Sequence, residues 1–161
     1  MITVYDLDLE KAVRYAGKWA YGRNPAWFDF DGLGGDCTNF ISQCIYAAGA
    51  EMNYTKDVGW YYVSLNNRAA AWTGVNFFYR FMINNTGVGP FGREVPSSEI
   101  QTGDVVQLGD TYGFYHSVLV VDVADGQPYV AAHTNDAYYK PLYSYLFDRA
   151  RALRINRARR T

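Results

Sequence analysis

GGDCTNFISQCIYAAGA, residues 34–50, is the segment that decides how the rest of the chain is interpreted. From Cys37 onward, apolar residues recur at i, i+3, i+4 and i+7, which predicts a helix with one buried face that stops at Gly49. Cys37 therefore stands at the helix N-terminus, where unpaired backbone N–H groups and the positive end of the dipole favour a thiolate. A cysteine on an apolar stripe is more often a core residue, so this position alone does not distinguish a reactive thiol from a structural one.

The composition of the 161-residue chain predicts one globular domain, residues 1–161. Apolar residues make up 49% and charged residues 19%, which is too apolar for disorder and too interrupted by charge for a membrane span. Cys37 and Cys44 would lie about 10 Å apart on a helix, too far for a disulfide. The N-terminus lacks the basic-then-apolar order of a signal peptide, so we expect no export signal in this chain.

Charge is distributed unevenly along the chain. Residues 149–161 hold six arginines and no acid, which leaves nine basic against sixteen acidic residues in 1–148. The segment RALRI, residues 151–155, predicts a last strand, and the remaining arginines are expected in a solvated terminus. No basic patch with interleaved aromatics occurs elsewhere, so we expect no nucleic-acid partner. We also expect a monomer.

Helical patterns come first along the chain and strand patterns later. We predict a first helix from about Leu9 to Tyr21 with Asp8 as N-cap, an irregular segment over 51–74, and a third helix from about Val75 to Asn84. Strands are predicted at 105–108, 116–123 and 128–133, the last two joined by a turn at Asp125-Gly126. This order predicts the α+β class, with N-terminal helices packed on a C-terminal antiparallel sheet.

Both histidines of the chain lie on this predicted hairpin. If Asp125-Gly126 forms a two-residue turn, His116 lies opposite Asn135, with His133 as a diagonal neighbour on the same face. A bulge would instead exchange these residues with their neighbours Thr134 and Asp136.

A thiol nucleophile needs a base within hydrogen-bond reach and a third group that holds the tautomer of the base. Cys37, His116 and either His133 or Asn135 supply such a set. Cys37, His116, His133 and Asp136 are also metal-ligand types, but the CxxC and HxxxH spacings of zinc sites are missing, so zinc is disfavoured.

Three segments in order resemble the putative amidase domain family of the NlpC/P60-like (papain-like) cysteine hydrolases. They are GDCTNFISQCIYAAG, TGDVVQL and HSVLVVDV followed by YVAAHTND. The resemblance implies a papain-like fold with the nucleophile at a helix N-terminus. It also implies hydrolysis of an amide bond in the peptidoglycan stem peptide through a thioester, in the extracellular space or cell wall, with no metal or organic cofactor. Two features depart from the NlpC/P60 pattern: Thr38-Asn39 replaces Ser-Gly, and the insertion over 51–102 is long.

Carried over residue by residue, the resemblance makes Cys37 the nucleophile and His116 the general base. His133 matches the third, orienting residue, while geometry accepts Asn135 equally.

The resemblance also implies substrate contacts. Tyr21 matches a tyrosine near the oxyanion and the substrate amine, and Asp36 and Thr38 match positions that bind a free α-amino group. Among the aromatic residues of the insertion, Tyr61 and Tyr62 are the candidates for lining a groove.

Two other functions remain open: a non-catalytic module that binds cell wall or glycan, and a thiol acyltransferase.

Overall fold

Four α-helices, two short 3₁₀ helices and nine strands make up the computed structural model, which describes residues 1–161. The helices are α1 (Leu9–Trp19), α2 (Cys37–Ala47), α3 (Ala70–Thr73) and α4 (Val75–Asn84). The strands are β1 (Thr3–Asp6), β2 (Tyr62–Ser64), β3 (Asn67–Arg68), β4 (Gly89–Val95), β5 (Val105–Asp110), β6 (Gly113–Ala124), β7 (Gln127–Ala132), β8 (Ala137–Pro141) and β9 (Arg149–Arg160). The α+β class is therefore confirmed, and none of the helices combines the length and apolar character that crossing a bilayer requires.

Seven strands form one antiparallel sheet in the order β1-β9-β5-β6-β7-β8, with β4 also paired to β9. Strands β2 and β3 form a separate hairpin. The prediction of a solvated basic terminus is wrong for the backbone, because β9 continues to Arg160 and its last residues pair with both β1 and β4, while Arg157 and Arg160 are exposed. The arginine side chains there lie over aromatic rings, as Arg159 does over Phe91.

Helix α2 lies in the centre of the protein. Its first nine residues, Cys37–Ile45, are all buried. The chain enters the helix through Gly34 and Gly35, whose φ angles of +87° and +97° are open to glycine at little steric cost. The predicted stop at Gly49 is confirmed by its φ of +103°.

The sheet separates two apolar clusters. One is packed between the sheet and the helices and includes Leu119, whereas the other lies on the opposite face and includes Val118 and Val120. Side chains along β6 therefore alternate between the nucleophile helix and the far side of the sheet. Ser117 faces the helix, since its hydroxyl hydrogen-bonds Thr38 on α2 at 3.1 Å.

The hairpin of β6 and β7 contains a register shift. Asp122 pairs with Tyr129 as a two-residue turn requires, but Val120 pairs with Val130, so Val121 forms a bulge. The ladder that places His116 opposite Asn135 is therefore wrong. Continuing the observed register brings His133 level with Ser117 instead, so the two histidines belong to opposite faces of the hairpin.

Candidate active site

The thiol of Cys37 is buried at the first position of α2. The residue is 8% exposed, and its Sγ lies 3.8 Å from Oγ1 of Thr38. The backbone amides of Ser117 and Thr38 lie close enough to the sulfur to lower the pKa of the thiol. Because Ser117 directly follows His116, the sulfur lies beside the peptide group that joins these two residues of β6.

Burial raises the pKa of Cys37, and the hydrogen bonds from Ser117 and Thr38 only partly oppose it. The helix N-terminus favours a thiolate, but loss of hydration is the larger effect here. The resting thiol is therefore protonated at neutral pH, and a proton acceptor is needed before it can attack.

His116 is 9% exposed, and no protein group hydrogen-bonds its ring. Its imidazole lies beside the ring of Tyr145, with 5.7 Å between the ring centroids. Burial, and secondarily the positive charge of Lys140, lower the pKa of His116 to about 4. The ring is therefore neutral at pH 7, as a general base must be. It makes no hydrogen bond with Sγ of Cys37.

Asp36 and Thr38, which flank the cysteine, are fully buried. The Asp36 carboxylate accepts from the backbone N–H of Phe30 and from the side chain of Asn39, both at 2.8 Å. Thr38 bonds Ser117 on β6. These placements differ from the expectation that both residues meet a substrate amine, because their polar atoms are already bonded within the protein.

His133 contacts the same helix end and makes no hydrogen bond to His116. Its Nδ1 lies 2.5 Å from Oδ2 of Asp36, and its Nε2 donates to the carbonyl oxygen of Trp19 at 2.8 Å. Asn135, the other candidate for orienting the base, is exposed in the turn after β7 with φ +62°. The structure therefore brings neither candidate to His116.

The remaining predicted residues lie elsewhere. Tyr21 is 71% exposed, and its hydroxyl accepts from the backbone N–H of Tyr138 on β8. Tyr61 lines a pocket of about 470 Å³ that includes neither Cys37 nor His116. Tyr62 packs against Trp27 and Trp72. The structure contains no cluster of ligand residues that could hold a metal ion at Cys37, His116, His133 and Asp136.

Sequence reasoning missed Arg23, which four carboxylates surround. Its guanidinium lies within 4 Å of Asp29, Asp31, Asp36 and Asp136. The clustering of aspartates in DFDGLGGD was the only sequence signal for this network, since Asp136 is 113 positions away from Arg23.

The backbone at the start of α2 has free donors. Asp36 occupies the N-cap position, but its side chain makes no capping hydrogen bond. The N–H of Cys37 has no acceptor within the protein. A protonated thiol and a free N–H at a helix N-terminus thus lie together, while the neutral imidazole of His116 projects from the opposite face of β6; these are the group types that acyl transfer uses.

Comparison with known proteins identifies the family of the chain. Residues 6–155 match the model of the family described as "Putative amidase domain". The "Uncharacterized protein YhbB" of Bacillus subtilis (strain 168) is 32% identical over 139 residues, which cover 83% of this chain and 43% of that protein. The chain thus spans less than half the length of this relative. No solved structure matches the chain.

Proposed function

The chain belongs to the family of the "Putative amidase domain", and from this membership we propose that it is a cysteine-dependent amidase that cleaves the peptidoglycan stem peptide. The observation that carries the proposal is the position of the Cys37 sulfur at the start of α2, next to Oγ1 of Thr38, which hydrogen-bonds Ser117, the residue after His116. A papain-like, NlpC/P60-type relationship is part of the proposal, supported by the three resembling segments. The stem-peptide substrate and a cell-wall or extracellular location rest on the same resemblance.

The mechanism begins with neutral His116 as the proton acceptor. The ring lies on the face of β6 opposite to Ser117, so the mechanism requires it to leave Tyr145 and cross to the side of Cys37. There it takes the thiol proton, and the Cys37 thiolate attacks the amide carbonyl carbon. The free N–H of Cys37 stabilises the oxyanion that forms. The imidazolium then gives its proton to the leaving amine, and the C–N bond breaks to leave a thioester.

Hydrolysis of the thioester completes the cycle. His116, neutral again, takes a proton from water as the water oxygen attacks the thioester carbonyl. The C–S bond breaks, the thiol recovers its proton, and the carboxylic acid leaves. Each step uses groups of this chain and one water molecule.

The test compares Cys37→Ala with Cys44→Ala on purified peptidoglycan and on soluble stem peptides, with mass spectrometry reporting new amine and carboxyl ends. We expect Cys37→Ala to lose turnover by about 10³-fold or more while its circular dichroism stays unchanged. Cys44 is buried within α2 and serves as the matched control, whose replacement should leave turnover within a small factor. Substantial cleavage by Cys37→Ala would refute the thiol mechanism.

The burial of Cys37, at 8% exposure, favours one alternative, a module that binds wall polymer without cleaving it. Such a module would bind peptidoglycan equally well with and without Cys37→Ala and would release no products. Transfer of the acyl group to an added amine in place of water would identify a thiol acyltransferase.

A further inference from the structure

His133 and Asp36 form a buried pair between elements far apart in the chain. Nδ1 and Oδ2 lie 2.5 Å apart, and the two side chains are 2% and 1% exposed. The residues are 97 positions apart in sequence, so this contact ties the end of β7 to the N-cap of α2.

The rest of the His133 ring is held just as firmly. Its Nε2 donates to the carbonyl of Trp19 at the end of α1, and Nη1 of Arg23 lies 3.1 Å from the same nitrogen. One face of the ring stacks on Phe40 of α2, with 4.0 Å between centroids and an interplanar angle of 19°. His133 thus contacts α2 at both its N-cap and its first turn, and no ring nitrogen remains for His116.

Asp36 links His133 to the backbone beside the nucleophile through further hydrogen bonds. Its Oδ1 accepts from the N–H of Phe30, and its own N–H donates to Oγ1 of Thr134 at 2.9 Å. Because Phe30, Asn39 and His133 occupy the carboxylate oxygens, the carboxylate does not cap the first turn of the helix. The N–H of Cys37, at the position before those that an N-cap side chain bonds, has no partner in the protein.

We propose that His133 is a positioning residue that acts through Asp36 on the start of α2, and that it does not orient His116. The inference rests on the proposed role of Cys37 as nucleophile. In this role His133 affects the placement of the Cys37 sulfur and of the N–H that stabilises the oxyanion.

The experiment uses three variants, His133→Ala, Asp36→Asn and the double variant, each in a Cys44→Ala background. We expect each single variant to lower kcat by about 10²-fold with little change in KM, because sub-ångström placement of the nucleophile is lost. The double variant should be no worse than the more damaged single variant, since both break one contact. His133→Asn, whose amide can still donate toward Asp36, should recover part of kcat.

Two further readouts need no substrate, so they remain informative if the amidase proposal fails. Alkylation of Cys37 by iodoacetamide should accelerate at least about fivefold in all three variants, because a loosened first turn exposes the sulfur. The NMR titration of His116, the only histidine left in His133→Ala, should keep its wild-type midpoint. If His133→Ala does not fold, Cys37 alkylation and the His116 titration are measured in His133→Asn, where the same outcomes test the proposal.

Asp104→Asn provides the control for general destabilisation, because Asp104 forms the other buried carboxylate pair, with Arg154. It should lower stability without changing Cys37 alkylation at temperatures well below unfolding. A shift of the His116 midpoint in His133→Ala, or additive losses in the double variant, would overturn the proposal. Unchanged alkylation of Cys37 would overturn it as well.

Discussion

The sulfur of Cys37 lies against the backbone N–H of Ser117, the residue that follows His116. This contact joins the nucleophile helix to the strand of the proposed base, although the thiol and imidazole are not yet hydrogen-bonded. Apo geometry of this kind tightens in many enzymes only when substrate binds. The ring nitrogens of His116 have no other protein partner, but the ring packs beside Tyr145 on the face of β6 away from Ser117, so it must change position to reach the sulfur.

The pH dependence of stability follows from His116. Its pKa of about 4 in the folded protein lies below the unfolded value near 6.5, so the unfolded chain binds more protons between these values. The neutral ring therefore contributes about 3 kcal/mol of stability above pH 6.5, and this contribution is lost as pH falls toward 4. Urea unfolding at pH 7 and pH 4.5 should show a smaller decrease for His116→Gln than for the wild type. Equal decreases would contradict the assignment.

Lys140 offers a second test of the same group. Its ammonium lies 4.0 Å from the ring of Tyr145 and is the second cause, after burial, of the low His116 pKa. Lys140→Gln removes the repulsion of the imidazolium, so the pKa of His116 should rise while burial keeps it below 6.5. The acid limb of kcat/KM should move to higher pH with it. Lys56→Gln is the control, and a midpoint unchanged by Lys140→Gln would exclude the electrostatic effect.

The two cysteines should differ in their rates of alkylation, but neither should react as fast at neutral pH as an activated thiolate does. Burial raises the pKa of both Cys37 and Cys44, and Cys44 is wholly enclosed. We expect slow alkylation of Cys37 at pH 7 that accelerates toward alkaline pH, and no alkylation of Cys44 until the protein unfolds. Peptide mass mapping against time and pH measures both. Rapid, pH-independent labelling of Cys37 near neutrality would instead indicate a thiolate in the resting protein.

Ser42 should contribute to stability through two aromatic neighbours. Its hydroxyl donates to the carbonyl of Trp72 and accepts from Nε1 of Trp60, at 2.9 and 3.0 Å. Ser42→Ala leaves a buried indole N–H and a buried carbonyl without partners, which should cost about 1–3 kcal/mol in urea unfolding. The exposed Ser64 of β2 provides the matched control, since Ser64→Ala removes no such bond. A loss no larger than that of the control would show that the two groups find other partners.

The sequence predicted the parts of the fold that bury a periodic apolar face. Helices α2 and α4 follow their predicted spacing, and Asp8 accepts from the N–H of Lys11 as the predicted N-cap. Strands β1, β4 and β8 were missed, as were β2, β3 and α3 in the segment 51–74 that was predicted to be irregular. For β1 and β4 the physical reason is clear. β1 is largely exposed and so has no apolar alternation, while β4 contains two glycines and a proline, which normally disfavour strands.

The positions of the candidate residues on their helix and hairpin could be predicted, but their contacts and Arg23 could not. The helix start at Cys37 and the histidines of one hairpin could be read from spacing and turn chemistry. The bulge at Val121 could not, because the run SVLVV is apolar on both faces and alternation gives no register there. That one extra residue turns His133 away from His116 and toward Asp36.

The burial of α2 has a consequence for how the protein unfolds on heating. The helix has no charged side chain, and its first nine residues are buried, so opening its interior beyond the first turn is unfavourable while the rest stays folded. Its interior amide protons should exchange with deuterium only through global unfolding, among the slowest in the molecule. Heat should then destroy the nucleophile site and the tertiary structure at one temperature, in a single cooperative transition.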